Sequence, residues 1–531
     1  MSIVLDGTAG IVVSGNTNTL SGVTVSRGAG SIATNTAVGA SALNANTTGS
    51  VNTALGISTL ASNTTGAANT AAGNQALNAN ITGNYNAAFG DRALRLATGS
   101  NNASFGGLSS YNVSTGQYNT VVGTEALFSN TTASYNTAVG YQAGSSNTTA
   151  TGMVAVGAGA LRDNSTGESN TAVGYYSMQT NTTGTQNTAL GLYALQANTT
   201  ASNNTAIGFW SSFYNTTGAG NTAVGFYSLL NNTTGISNVA LGYSALVSNT
   251  TGSQNTVVGY QAGYSNTTAT TGVTALGYQA LYSSTGGGSV ALGASAGYSI
   301  TTGVYSTYIG HYTGYFSTGG GNTFVGCSGS NGSVGCGYYM TTGVNNTLLG
   351  GYTGDGDGLD IRTANDYVVI STGLGKRQLS MYEGGTVALD NAVPVAGTGI
   401  TFPATQSASS NANTLDDYEE GTWTPNVTLN TGTGTNYTIG TATYTKTGRV
   451  VVVIGSIIPT NGTFGSTNGY ARMTGLPFTV ATRAGTGSGL NSSNLNNGVA
   501  GTVAYSTTVD AAFTSGVTSG NEFAFTATYF V

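Results

Sequence analysis

The chain has 531 residues, 83 of them glycine, and only 28 charged side chains (11 basic and 17 acidic) for a net charge of −6. Charge this sparse, with no lysine before Lys376, excludes a nucleic-acid-binding surface. Two cysteines exclude a disulfide framework, and no apolar run reaches the roughly 18 residues of a membrane-crossing helix, so no membrane insertion is expected.

Polarity without charge is also the composition of disordered chains, but here the apolar residues recur at a fixed spacing. Residues 1–34 carry short strand signals at Ile3 and Leu5, Ile11 and Val13, and Val23 and Val25. The segment is too small to bury a core and reads as an entry cap or attachment point. It has no basic region and apolar core of signal-peptide type, which suits a protein assembled in the cytoplasm better than a secreted adhesin.

From Asn35 to Gly350 the chain is a repeat. Between Asn170 and Gln254 five blocks of 17 residues follow one another without insertion, with the common pattern Asn-Thr-Ala-apolar-Gly (Asn-Val-Ala in the fifth), then a short apolar stretch, then Asn-Thr-Thr-Gly (Asn-Thr-Thr-Ala in the second) and two spacers. The whole repeat region has 19 such blocks, with glycine at position 5 of every one, from Gly39 to Gly350, and an apolar residue at position 4. A short fixed period is the mark of a solenoid. With no helix-length apolar stripe, the unit is a β coil in which Thr-Ala-Val is the strand. Glycine and asparagine are expected at the corners, where positive φ is needed. Coils stacked about 4.8 Å apart would make a rod of about 90 Å. Stacking explains the missing charge, because like charges in register repel. Only Asp91, Arg92, Arg95, Glu125, Arg162, Asp163 and Glu168 are charged between Asn35 and Gly350.

Several residues in the repeats are candidates for function. Gly140, Gly174, Gly191, Gly208, Gly225, Gly242 and Gly259 are structural glycines of the fifth position. Aromatic residues line position 6 (Tyr141, Tyr175, Phe209, Phe226, Tyr243, Tyr260, Tyr278) and position 7 (Tyr176, Tyr193, Trp210, Tyr227). If both positions lie on one strand, one set faces out and can stack on sugar rings. The alternative is a stacked ladder that only stabilises the coil. His311 has no other ligand type beside it and reads as a surface residue, or as one member of a ring on a trimer axis. Cys327 and Cys336 lie in an insertion after Gly326 and are expected as free thiols in a reducing cytoplasm; a disulfide closing that loop is the alternative. The Asn-Thr-Thr triplets match a glycosylation pattern but follow from the repeat itself.

After Gly350 the repeat decays into a neck, 351–396, with strand signals at Tyr367–Ser371, Gln378–Tyr382 and Thr386–Leu389. Asp355, Asp357 and Asp360 cluster in a glycine-rich loop that suits Ca²⁺, although the closing Glu of an EF-hand is missing; a solvated turn is the alternative. Residues 397–414 are a linker by composition. Residues 415–531 have a different texture: strands flanking Thr447-Gly448 as a hairpin, a last strand alternating through Phe523, Phe525 and Tyr529, and a long polar loop from Gly485 to Gly498. This reads as a β-sandwich. Asp416, Asp417, Glu419 and Glu420 form an acidic run that is expected to be a solvated face rather than a pair of glycosidase carboxylates.

The blocks resemble the head repeats of trimeric autotransporter adhesins, whose Asn-Ser-x-Ala-Ile-Gly units build a left-handed parallel β-roll in a three-chain head. The likeness rests on Asn-Thr-Ala-Val-Gly and the alanine that follows. The 17-residue block, with its added Asn-Thr-Thr-Gly corner, is longer than is usual in that family. The stretch Ile400–Pro425 (ITFPATQSASSNANTLDDYEEGTWTP), with Tyr444-Thr-Lys-Thr-Gly-Arg449 and Gly475-Leu-Pro-Phe478, is similar to the C-terminal part of tail-fibre proteins of environmental bacteriophages. Together these resemblances imply a homotrimeric virion fibre made in the host cytoplasm. Its N-terminus would join a phage tail, baseplate or adaptor protein, and its distal end would meet a host-surface glycan or protein. One physical consideration agrees: each coil holds only three or four apolar side chains, a thin core for a lone rod.

The expected fold is therefore all-β: a β-solenoid shaft of about 19 coils followed by a C-terminal β-sandwich. The expected role is structural and adhesive rather than enzymatic. The rivals are a bacterial surface adhesin, a polysaccharide-degrading tailspike and an ice-binding rod, the last disfavoured because adjacent threonines point opposite ways.

Overall fold

The computed structural model describes residues 4–6, 10–12, 17–20, 23–267, 272–327, 334–390, 392–397 and 399–401. Beyond these it describes the strands between Tyr418 and Phe530 with part of their connections. By its internal contacts the chain divides into Met1–Gly399 and Ile400–Val531.

The first unit is a β-solenoid with the 17-residue period. Nineteen three-residue strands run from Thr36–Val38 to Thr347–Leu349, each formed by positions 2 to 4 of one block, most often Thr-Ala-apolar. Successive strands pair parallel and in register, as Thr171, Ala172 and Val173 do with Thr188, Ala189 and Leu190. The rest of each coil is held to its neighbours by further backbone hydrogen bonds. In the block that starts at Asn170, the N–H groups of Gly174, Tyr176 and Gln186 donate back to Val156, Ala158 and Glu168. Those of Thr171, Met178 and Thr182 donate forward to Asn187, Ala194 and Thr199. Every coil is thus tied to both neighbours on several sides.

Alternation along the strand decides what is inside. The middle residue of all nineteen triplets is buried, and the residues on either side of it are not. The core is position 3 together with positions 8 and 9, as in Ala189, Ala194 and Leu195. Its volume is conserved by compensation between columns. Where position 3 grows to Tyr308 and Phe324, position 9 shrinks to glycine. A Cβ on Gly314 would lie 2.4 Å from the Tyr308 ring, and one on Gly337 the same distance from the Phe324 ring. Close-packed interiors tolerate such swaps only when total volume is kept.

Two columns of buried asparagine line the remaining interior. At position 1, Asn187 accepts the N–H of Asn204 on Oδ1 (2.9 Å) and donates from Nδ2 to the Ala201 carbonyl (2.8 Å). At position 12, Asn198 donates to Asn181 Oδ1 (2.8 Å) and accepts from Asn215 Nδ2 (3.0 Å). Threonine at position 13 continues the pattern outside, with Thr182 Oγ1 donating to the Thr199 carbonyl at 3.0 Å. Each such bond contributes about 1 kcal/mol net, and an orphaned buried partner costs about 1–3 kcal/mol.

Corner chemistry differs from the expectation in one respect. The fifth-position glycines all have positive φ, between 105° and 142°, and stacking gives a second reason for glycine. A Cβ on Gly208 would lie 2.5 Å from the carbonyl oxygen of Gly225 one coil on. Asparagine is found at such a corner at position 17, as in Asn203 (φ 62°), but the asparagines of the two interior columns, positions 1 and 12, are not corner residues. The left-handed positions are 7, 9 and 17, occupied by residues such as Tyr176 (φ 50°), Leu195 (φ 51°) and Gln186 (φ 58°). A non-glycine residue there costs roughly 1–2 kcal/mol, offset here by the inter-coil bonds its backbone makes. The ladder hydrogen bonds, not the turn, are the reason for asparagine in those two columns.

At its ends the shaft is closed by antiparallel hairpins in the same ladder. Val23–Ser26 pairs with Thr36–Val38. At the other end Tyr367–Ser371 adds parallel to Thr347–Leu349, then pairs antiparallel with Arg377–Tyr382, which pairs with Val387–Leu389. These are the neck strands expected from sequence.

The second unit is antiparallel β. Nine of its strands follow one another in a ten-stranded sheet, the tenth pairing at the side, and a three-stranded sheet accompanies it. The expected hairpin is present: Thr443–Thr447 pairs with Val450–Pro459 across two residues. Thr486–Asn491, expected within a loop, is instead a strand paired with Phe523–Phe530. Its glycine and serine content hid a backbone that a sheet neighbour fixes. Most of the 397–414 linker lies outside the described residues.

Candidate functional site

Positions 6 and 7 do not belong to a strand. They follow the position-5 glycine in a turn, so they do not face opposite ways as strand neighbours would. Position 6 points into solvent, with Tyr141 54% and Tyr278 52% exposed, whereas position 7 lies half-buried in its left-handed turn. The two sets therefore adjoin along one edge of the shaft: the rings of Tyr175 and Tyr176 are 4.1 Å apart, as are those of Phe226 and Tyr227.

Along the shaft, position 6 forms a ladder. Phe209, Phe226, Tyr243, Tyr260 and Tyr278 stack in turn at 5.1, 5.2, 5.1 and 5.3 Å, with planes within 13° of parallel. At position 7 the packing is mixed, Tyr193 meeting Trp210 edge-on at 6.0 Å and Trp210 meeting Tyr227 at 5.8 Å. Rings stacked this way turn their faces to one another and present edges and hydroxyls outward. That geometry favours mutual stabilisation over a row of open platforms for sugars.

A second ladder was missed in the sequence. Position 10 carries Tyr264, Tyr282, Tyr298, Tyr315 and Tyr338, stacked at 5.0, 5.0, 4.8 and 5.3 Å. Burial holds the hydroxyls of Tyr282, Tyr298, Tyr315 and Tyr338 above the ordinary tyrosine range, and neighbouring tyrosines add to the effect. Aligning the blocks on their starts places Tyr264, Tyr282, Tyr298 and Tyr315 in one column, which is the signal in the sequence; the insertion after Gly326 displaces Tyr338 from it.

The acidic cluster of the neck is divided among cations. Asp355–Gly356 and Leu359–Asp360 form a small hairpin whose turn residues, Asp357 and Gly358, both have positive φ, as an Asp-Gly turn favours. Asp355 and Asp360 both reach Arg362, at 3.4 and 2.7 Å. Asp357 faces Lys376 at 3.5 Å and accepts the Arg377 N–H at 3.2 Å. The hydrogen bonds from Arg362 hold the Asp360 carboxyl below its usual range. Among the described residues no three carboxylate, histidine or cysteine side chains converge as a metal site would need. Beside the hairpin, Arg377 is fully buried, donating to the carbonyls of Asp357 and Ala392 (the latter at 2.9 Å) and to Ser380 Oγ at 3.3 Å.

The remaining candidates fall into place singly. Cys327 is exposed, Cys336 is buried, and both are free thiols. Cys336 occupies core position 8, where burial pushes its thiol up to about 12 and leaves it protonated. The His311 ring is exposed and packs on Tyr312 at 4.1 Å. The asparagines of the Asn-Thr-Thr triplets, such as Asn181 and Asn198, are fully buried, so their side-chain nitrogens are unavailable for glycosylation. Glu419 and Glu420 lie on the strand Tyr418–Thr422, with Glu419 opposite Lys446 in register. Asp416 and Asp417 lie outside the described residues. No described helix is long and apolar enough to cross a membrane.

Comparison with family models, with curated proteins and with solved structures gives no match.

Proposed function

We propose that the chain is the subunit of a homotrimeric fibre of a phage virion. In this reading the solenoid is a spacer, residues 1–34 attach to the tail, baseplate or an adaptor protein, and residues 415–531 meet the host surface. One observation carries it: coil after coil repeats the same cross-section over 19 strands, and a non-repeating antiparallel unit follows from Ile400. A uniform shaft offers one surface many times, which suits reach rather than discrimination. Loops on a rigid sheet scaffold are where binding residues concentrate.

The test uses the labelled full chain on a panel of bacterial cells and purified cell-surface polysaccharides. A chain ending at Gly399 is expected to lose binding, and a full chain lacking one 17-residue block is expected to keep it. Binding retained by the truncated chain would move recognition to the shaft, with the edge from Tyr141 to Tyr260 and Tyr278 the first place to look for glycan contact. Shortening of the polysaccharide during binding would favour a tailspike enzyme.

A further inference from the structure

Each strand leaves one surface unexplained. Position 4 is apolar in all 19 blocks, yet it points away from the coil interior. Leu55, Val122, Leu190 and Leu276 are 52%, 42%, 46% and 51% exposed. Phe89 and Phe105 stack on each other at 4.9 Å in the same column. Position 2, on the same face, is threonine, alanine or valine throughout, so no charge interrupts it. The column also outlasts the repeat: Val25 sits beside Val38 at one end, and Ile370 beside Leu349 at the other.

A solvated sheet face normally carries polar residues, and parallel sheets are normally covered on both faces. Here the coil interior covers only one. At on the order of 50 Å² for each member, the column leaves roughly 1,000 Å² of apolar surface, above the ~300–600 Å² of the largest patch on an ordinary monomer and near the ~800 Å² per partner of a stable interface.

The period selects the occupant. A partner that fills this face must repeat every coil, about 4.8 Å, over 19 strands. A second copy of this chain does so, with the same uncharged column to offer. We infer that the position-4 face is the surface through which copies assemble, side by side, parallel and in register about an axis along the shaft. The number of copies, three, rests on the fibre reading above. Rotation about such an axis lets each copy bury its position-4 face and closes the assembly without leaving that face open for growth.

The experiment is run on the full chain in a Cys327→Ser background, so that the exposed native thiol does not contribute. Native mass comes first, and three chains are expected. Leu190→Cys, oxidised with copper phenanthroline, is expected to give disulfide-linked pairs on a non-reducing gel. Thr183→Cys, exposed at position 14 on another part of the coil, is expected to give none. Leu190→Asp with Val224→Asp places charge outside the coil core, so far-UV circular dichroism should persist while the native mass falls threefold. A multimer that keeps its mass in the Asp variant and leaves Leu190→Cys unlinked would overturn this surface while leaving the trimer standing. A wild-type monomer would overturn both.

Discussion

The repeats and the neck solve the same problem, closing a thin β coil, with opposite chemistry. Between Ser169 and Gly350 there is no acidic or basic side chain apart from His311. The polar interior there is made of neutral asparagine columns bonded from coil to coil. In the neck, within thirty residues, Arg362, Lys376 and Arg377 are each met by Asp355, Asp357 or Asp360 or by backbone carbonyls. The difference follows from stacking. In a solenoid every side chain sits above its own kind, so a group must be able to bond to itself. An amide can, being donor and acceptor at once; a carboxylate or guanidinium cannot. Charge returns where the period ends and unlike residues become neighbours.

The contrast is broken most severely at the glycine column. Gly208→Val meets two penalties, φ of 133° and a carbonyl 2.5 Å from the new Cβ, and should cost about 4 kcal/mol or more. Thermal unfolding followed by circular dichroism checks it, and an unchanged transition would remove the case for glycine. In the neck, Arg377→Met leaves the carbonyls of Asp357 and Ala392 without their donor and should cost about 3 kcal/mol. That loss should stay local, with hydrogen exchange faster at Asp357–Ala392 and unchanged between Asn170 and Gln254. Asn198→Leu comes next. It removes the donor to Asn181 Oδ1 and one of two partners each from Asn215 Nδ2, which keeps the Gly218 carbonyl, and from the Ala201 carbonyl, which keeps Asn187, at about 2 kcal/mol. Here the loss should spread to both neighbouring coils, because they share the column.

How much of this the sequence shows depends on whether a column is uniform. Glycine at position 5 and the strand before it were legible because every block repeats the glycine and the apolar residue that precedes it. The neck strands stood out as short apolar-rich runs at Tyr367–Ser371, Gln378–Tyr382 and Thr386–Leu389. The left-handed positions were hidden, because leucine at 9 and tyrosine or glutamine at 7 and 17 have no preference for positive φ. The trace they left is the occasional glycine in those columns: Gly144, Gly263 and Gly297 at 9, Gly159 at 7, Gly220 and Gly288 at 17. Inside and outside were ambiguous for a related reason. Positions 3 and 4 are both apolar, and a three-residue strand is too short for its alternation to declare itself. The aspartates offered a cation site because their partners do not show as such in the sequence: Arg362, two residues after Asp360, takes Asp355 and Asp360, while Lys376 and Arg377, which meet Asp357, come from much later in the chain.

Deleting Asn187–Asn203 should be milder than any of these substitutions. The cut joins equivalent positions, and Thr171–Val173, which now pairs with Thr188–Leu190, would meet Thr205–Ile207 in the same register. Nearest-neighbour contacts are restored, as in other repeat proteins. The shaft should shorten by about 4.8 Å with its melting transition nearly unchanged, measurable by small-angle scattering and calorimetry. A chain that no longer folds after this cut would contradict the nearest-neighbour picture.

The smallest effect separates the two regions by pH. Asp360 is held below its usual carboxylate range by the hydrogen bonds and charge of Arg362. A carboxyl whose folded pKa lies below its unfolded value stabilises the fold above the unfolded pKa, and the contribution is lost as pH falls through the folded one. Acidification below the ordinary carboxylate range should therefore loosen the 355–362 hairpin. The pair is exposed, so the effect is modest, no more than about fivefold in local opening. Hydrogen exchange at Ile361, whose N–H donates to the Gly354 carbonyl at 2.9 Å, reports it after correction for the intrinsic rate. The amides from Asn170 to Gln254 have no carboxylate in their coils and should show no change over the same range. Asp360→Asn should flatten the response at Ile361. Equal acid sensitivity in both regions would mean that the neck's ion pairs do not set its stability, and the division between a neutral shaft and a charge-pinned neck would fall.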